Sequence, residues 1–351
     1  MTAIARSTKN INWPGVGRSI LAAALSIALG LLIGALFLLF SGQNPVAAYT
    51  SLLKGAFGTP ARLAETFVKM TPFLILAISV SISFKCGVWN IGAEGQLIVG
   101  AITSFWAAMT FHFLPPVLLL PLTAVAGMVG GTLWSGIAGV LKAYFNANEV
   151  ITTSMLNFIA VYLLAYMVNG PLKDPEGFNF PQSRLIPESL ELPRLLAGSR
   201  LNIAFLVALG LVIVTLLFWR STVGFRMEIV GASRRVATHV GLNVKRTIIL
   251  VSIISGAIAG LAGWGEIFGV HFRLIEAIAV GMGSLAVVVA LIGELHPLGM
   301  VVSAFLFASL VVGGNAMERS AGVPFALVDV INGSIILIVL ARSYLFRGWR
   351  S

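Results

Sequence analysis

Apolar positions in this chain fall into long runs, not into the one-sided stripes of a soluble helix. From Ile20 onward, mostly apolar stretches alternate with short polar breaks. A bilayer core of about 30 Å needs about 20 such residues as helix. The period-two alternation of a barrel strand is absent, and lipid offers no partner to an open backbone, so helices are the expected element. The runs predict spans at 20–40, 63–84, 96–113, 117–141, 150–169, 201–219, 247–269, 277–293, 298–315 and 324–341. The fold class expected is all-α: a polytopic integral membrane protein of about ten transmembrane helices.

Composition agrees with the pattern. Only 10% of the 351 residues are charged, against roughly 25% in soluble domains, and the mean hydropathy is +0.97. A formal charge of +10 could suggest nucleic acid, but the basic residues collect between spans. Arg6, Lys9 and Arg18, then the 220–246 segment, then Arg342, Arg347 and Arg350 share one side of the predicted topology. They outnumber the basic residues of the other side, which puts both termini in the cytoplasm. Residues 1–19 then form a cytoplasmic segment. The first run, Ile20 to Phe40, is longer than a signal-peptide core and reads as a retained span. Cys86 is the single cysteine; it excludes an internal disulfide and reads as a packing residue.

Two connections are long. The outer one, 170–200, is rich in proline and mixed in charge; it fits a lid, a docking surface for an external partner, or a solvated loop. The inner one, 220–246, holds a short helix. Ser233 can cap its start and Gly241 its end, with Val236 and Val240 on one face and Arg234 and Arg235 in the first turn. Such a helix suits either anionic lipid or a socket on a cytoplasmic partner. "GAEGQLIVGA" in the third span and "GMGSLAVVVA" in the eighth are weakly alike. They suggest a two-fold repeat of five helices, whose interface would carry a transport path.

Several chemistries are missing. The chain has no G-x-x-x-x-G-K-[ST] phosphate loop, no H-E-x-x-H and no G-x-S-x-G. Its histidines, His112, His239, His271 and His296, are scattered, so no metal site is expected. An enzyme is not indicated, and uphill transport would draw on an ion gradient or a separate ATPase.

Polar groups inside the apolar runs are therefore the candidates, since a buried acid costs roughly 2.5–3.5 kcal/mol on insertion scales. In "KCGVWNIGAEGQ", Lys85 to Gln96, glycines loosen a stretch that carries Asn90, Glu94 and Gln96. A broken helix lining a watery path and a wet cytoplasmic turn both fit. Asn148 and Asn157 flank Glu149, which can serve simply as the acid at a helix start. Glu266 lies among glycines, where close packing or a gate would explain it.

The blocks "GVWNIGAEGQLIVGA", "NEVITTSMLNFIAVYL", "GFRMEIVGASRRVATHVGL", "GLAGWGEIFGV" and "GVPFALVDVINGSIILIVL" stand in this order. In that order the chain resembles ABC-importer permeases for nucleosides and simple sugars, relatives of the ribose and branched-chain amino acid permeases. The likeness runs from about residue 60 to the end, making 20–346 a permease transmembrane domain. It departs at "VGMGSLAVVVALIGEL", where family members often carry a G-F-x-G-I-A-V-A-L-L-G-like run.

The resemblance implies a second, related permease chain, two cytoplasmic ATPase subunits and an external substrate-binding lipoprotein, in a bacterial cytoplasmic membrane. ATP and magnesium would be used by the ATPases, with no cofactor in this chain. It implies ATPase coupling through Arg226, Glu228, Gly231, Ala232, Ser233, Arg234, Arg235 and Gly241, and a substrate path by Asn90, Glu94 and Gln96, to which the polar residues Asn148, Asn157 and Glu266 are added as candidates. The rival expectation is a proton- or ion-coupled secondary transporter that uses a buried acid such as Glu94.

Overall fold

A computed structural model describes residues 28–345 apart from Val280. The start of the first predicted span, the N-terminal basic residues, Arg347 and Arg350 lie outside the described residues. Two compact units divide the chain: a larger one, Ala56–Val312, and a smaller one drawn from the two ends of the chain. Regular structure among the described residues is helical, with no strand.

In the smaller unit, helix α1 is Ala28–Phe40 and α2 begins at Pro45 and closes at Phe57. Tyr49 donates to the Leu31 carbonyl, joining the two. The last helix, α13, is Phe325–Leu345. Helix α2 was not among the predicted spans, because at 13 residues it is too short to cross a bilayer.

The larger unit holds α3 (Pro60–Lys85), α4 (Ala93–Thr110), α5 (Pro116–Phe145), α6 (Glu149–Asn169), α7 (Ala204–Phe218), α8 (Thr222–Ala232), α9 (Arg234–His239), α10 (Val244–Glu266) and α11 (Met282–Ile292). A helix α12 covers Pro297–Ala321, and a π-helical turn, Ile267–His271, continues α10. Start signals are readable in the sequence. The Thr59 hydroxyl accepts from the Arg62 N–H at 3.2 Å, with Pro60 at the first helical position. Asn148 caps α6 by accepting from Val150 N–H at 3.0 Å. Asn146, at φ 51, ends α5 in the left-handed region.

Each predicted span meets a helix, yet the helices are unequal. Among the described residues five are long and apolar enough to cross a membrane: α3, α5, α6, α10 with its π turn, and α12. Helices α7 and α8 qualify only as a pair bent by 75°. Helix α11 has 11 residues, a half-crossing.

Helices α3, α4, α5 and α10 form the core. Their seam is built from small residues, which let backbones approach where no hydrophobic drive exists between helix and lipid. A Cβ on Gly260 would stand 2.1 Å from the Gly127 carbonyl oxygen, and one on Gly131 would stand 2.2 Å from that of Gly256. Helix α3 is almost wholly buried, whereas α5 and α6 are mostly exposed and present Leu133, Phe158, Ile159 and Tyr162 outward.

The 170–200 connection is strapped to the end of α10. Leu192 N–H donates to Phe268 O at 2.8 Å, Ile186 N–H to Phe272 O at 2.8 Å, and Ser183 N–H to Leu274 O at 3.0 Å. Asn202 Nδ2 adds a bond to Gly269 O at 2.9 Å. The carbonyls released where the helix widens and stops are thus satisfied by the connection.

Candidate functional site

Helix α3 ends at Lys85, and Gly87 at φ +71 reverses the chain. Residues 86–92 then turn back into the bundle before α4 starts at Ala93. Their depth can be read from their partners. Ser79 is six residues from the end of α3, about 9 Å along a helix. Asn157 lies eight residues into α6, about 12 Å. Ser255 lies eleven residues into α10, about 16 Å. Against a core of about 30 Å, the polar stretch reaches toward the middle of the membrane.

There the sequence candidates Asn90, Gln96 and Asn157 meet. Asn90 Nδ2 donates to Ser255 Oγ at 3.1 Å, and Gln96 Nε2 donates to Asn90 Oδ1 at 3.1 Å. Ser79 Oγ donates to Ser255 O at 2.8 Å. Asn157 takes both ends of the break: its Oδ1 accepts from Gly95 N–H at 2.8 Å and its Nδ2 donates to Ile91 O at 2.9 Å. Thr153 Oγ1 accepts from Ile91 N–H at 3.2 Å. Asn90 and Gln96 are buried. These amides and hydroxyls replace the helical bonds that residues 86–92 forgo, which is what a break at this depth requires.

Glu94 turns the other way. Its Oε1 accepts from Gly281 N–H at 3.3 Å, and a Cβ on Gly283 would stand 2.6 Å from Glu94 Cβ. Gly281 is the N-cap of α11 and has no side-chain cap of its own. Two helix starts, α4 and α11, therefore converge on one carboxylate, which complements the positive ends of both. They are the two segments "GAEGQLIVGA" and "GMGSLAVVVA".

The other candidates stand apart. Asn148 is the N-cap of α6. Its neighbour Glu149 pairs with Lys142 at 2.7 Å, both nearly buried. Glu266 is buried at the opposite end of α10, 3.4 Å from His271 Nε2.

The 220–246 segment folds as two helices. Ser233 ends α8 and caps α9, its hydroxyl accepting from Val236 N–H at 3.3 Å. Gly241 at φ +79 closes α9, and Leu242 N–H reaches back to Ala237 O at 2.9 Å. The pair is pinned to the turn after α3. Arg234 donates to Gly87 O at 3.2 Å. Lys85 lies 3.9 Å from Glu228 and 4.3 Å from the Trp219 ring centre. A Cβ on Gly231 would stand 1.9 Å from Lys85 O. Phe225, Arg226, Arg235, Val236 and Val240 remain exposed on the pair. Lys85, Ser79, Ser255, Thr153 and Trp219 were not among the sequence candidates. Lone hydroxyls within apolar runs were the available signal for the two serines, but no spacing links positions 79 and 255.

The arrangement defines a helical, multi-pass membrane protein with a polar break in mid-bundle and a two-helix element docked on that break. The chain belongs to the family described as branched-chain amino acid transport system / permease component, whose profile matches residues 62–340. It is similar to a guanosine ABC transporter permease protein of Bacillus subtilis, 35% identical over 93% of this chain and 94% of that one. It is similar to a glucose ABC transporter permease protein of Haloferax volcanii, 33% identical over 92% and 87%. A second guanosine ABC transporter permease protein of Bacillus subtilis is 25% identical over 79% of this chain and 89% of that one. No solved structure matches the chain.

Proposed function

We propose that this permease carries nucleosides or related simple sugars across a bacterial cytoplasmic membrane, as one transmembrane subunit of an ATP-driven importer. The observation that carries the reading is the docking of α8 and α9 on Lys85 and Gly87, a few residues before the buried amides of Asn90 and Gln96. A push on α8–α9 from a cytoplasmic ATPase would reach the polar break through a short, tightly packed path. Exposed Phe225, Val236 and Val240 beside Arg226 and Arg235 suit a protein socket and an anionic lipid surface alike; the family resemblance favours the socket.

In this reading both termini are cytoplasmic and the chain crosses about ten times in two related halves of five helices. Asn90, Glu94, Gln96, Asn157 and Glu266 belong to the path, with Asn148 at its cytoplasmic end. The amides that hold the break closed can exchange partners for sugar hydroxyls or base edges when the halves part, because each carries both donor and acceptor. A second permease chain covers the exposed apolar faces of α5 and α6, as the two related guanosine permeases of one bacterium suggest. Two ATPases hydrolyse ATP with magnesium, and an external lipoprotein delivers the solute to the 170–200 side.

The test is uptake by proteoliposomes that hold the complete complex, with lipoprotein outside and ATP inside. Uptake of guanosine or a simple sugar that stops without ATP supports the proposal. Uptake that ignores ATP and follows a proton gradient would assign the chain to secondary transport.

A further inference from the structure

Apart from its approach to His271, the Glu266 carboxylate is used by none of the contacts above. Its side chain is 4% exposed, and Oε2 has no hydrogen-bond partner, although His271 Nε2 lies at ion-pair distance, 3.4 Å. It lines a cavity with Val68, Thr71, Pro72, Asn202, Ala262 and Gly265. Room for the centre of a water-sized sphere there is about 10 Å³, near the least that holds one water.

The polar side chains of this cavity offer acceptors and no spare donor. Pro72 has no N–H to give the Val68 carbonyl four residues back. The Thr71 hydroxyl already donates to Phe67 O at 2.9 Å, leaving only its lone pairs. Asn202 spends its Nδ2 on Arg200 O and Gly269 O, and its Oδ1 on Ala204 N–H. A buried acceptor without a hydrogen bond is costly, more so when charged. A guest that brings hydrogens and is no larger than one sphere removes that cost.

We infer that one water molecule is a fixed part of the protein here, giving its hydrogens to Glu266 Oε2 and to the wall of α3 beside Pro72. The bridge joins α3 beside Pro72, inside a continuous helix, to α10 just before its π turn.

Hydroxyl-radical footprinting of the full-length chain in nanodiscs tests it, since a bound water generates radicals beside buried residues. Pro72 and Ile75, both buried, should be modified far faster than Leu76 and Ile78 in the same helix. Modification no faster than at Leu76 would show a dry cavity and overturn the inference. Glu266→Met, which fills space and needs no partner, should lose the fast modification; its persistence would mean that Glu266 does not hold the water. If Glu266→Met does not insert, the wild-type pattern still decides. Replacing sodium by choline should change nothing. Faster modification without sodium would assign the site to that ion instead.

Discussion

Gly231 and Lys85 touch through their backbones: a Cβ on Gly231 would stand 1.9 Å from the Lys85 carbonyl oxygen. No side chain fits between α8 and the end of α3. Gly231→Ala should therefore lift α8–α9 from the turn at a cost of about 1–3 kcal/mol, the usual range for overpacking. Insertion should survive, because the contact lies at the end of the bundle. ATP hydrolysis by the assembled complex should continue while uptake falls. Ala237→Trp, at a fully buried position of α9, should act alike. Normal uptake by both variants would return α8–α9 to a lipid-surface role.

Orientation is open to labelling. Cys86 is fully buried, so the wild-type chain should be silent to maleimides and serve as its own background. Val236 is 53% exposed on α9, and Ser189 is exposed on the 170–200 connection. In intact cells Val236→Cys should react only with permeant reagents, and Ser189→Cys with impermeant ones. The reverse pattern would invert the topology.

Lys142 and Glu149 are 2.7 Å apart and each side chain is 11% exposed. Removing one partner of such a pair strands a charge, which costs roughly 3–5 kcal/mol, whereas replacing both is often neutral. Lys142→Met should lower the melting temperature of the purified chain clearly, and Lys142→Met with Glu149→Leu should recover most of the loss. A single variant as stable as wild type would mean that solvent already screens the pair.

Much of this fold is legible in the sequence because bilayer thickness sets the length of each apolar run. The cap at Ser233 and the turn at Gly241 follow from residue chemistry within a few positions. Sequence pattern does not reveal how deep a break reaches. Asn90, Gln96 and Asn157 are visible as polar residues in apolar surroundings, but the bonds of Asn90 to Ser255 and of Asn157 to the backbone of Ile91 and Gly95 depend on α4, α6 and α10 meeting in space. Asn148 illustrates the opposite case, since its neighbours Asn146 and Glu149 made a helix start look like a polar cluster. The 13-residue α2 escapes a span-length criterion altogether, and the run predicted at 277–293 forms a helix of only 11 residues.

Glu94 separates two kinds of transporter by chemistry. Its Oε1 accepts from Gly281 N–H and ties the start of α4 to the start of α11. Glu94→Gln keeps the acceptor oxygen and the size but removes the charge. Glu94→Ala removes both and leaves the α11 start without its cap, a loss of about 1–3 kcal/mol for an unsatisfied buried donor. A neutral nucleoside or sugar needs donors and acceptors more than a counter-charge. In vesicles holding the complete complex, with ATP and no proton gradient, Glu94→Gln should keep most of the uptake. Glu94→Ala should fall to about a tenth or less, the factor that 1.4 kcal/mol represents. A carrier driven by protons needs the ionisable group itself, so both variants would then lose driven uptake equally. Equal loss in the two would defeat the ATP-driven reading of this site.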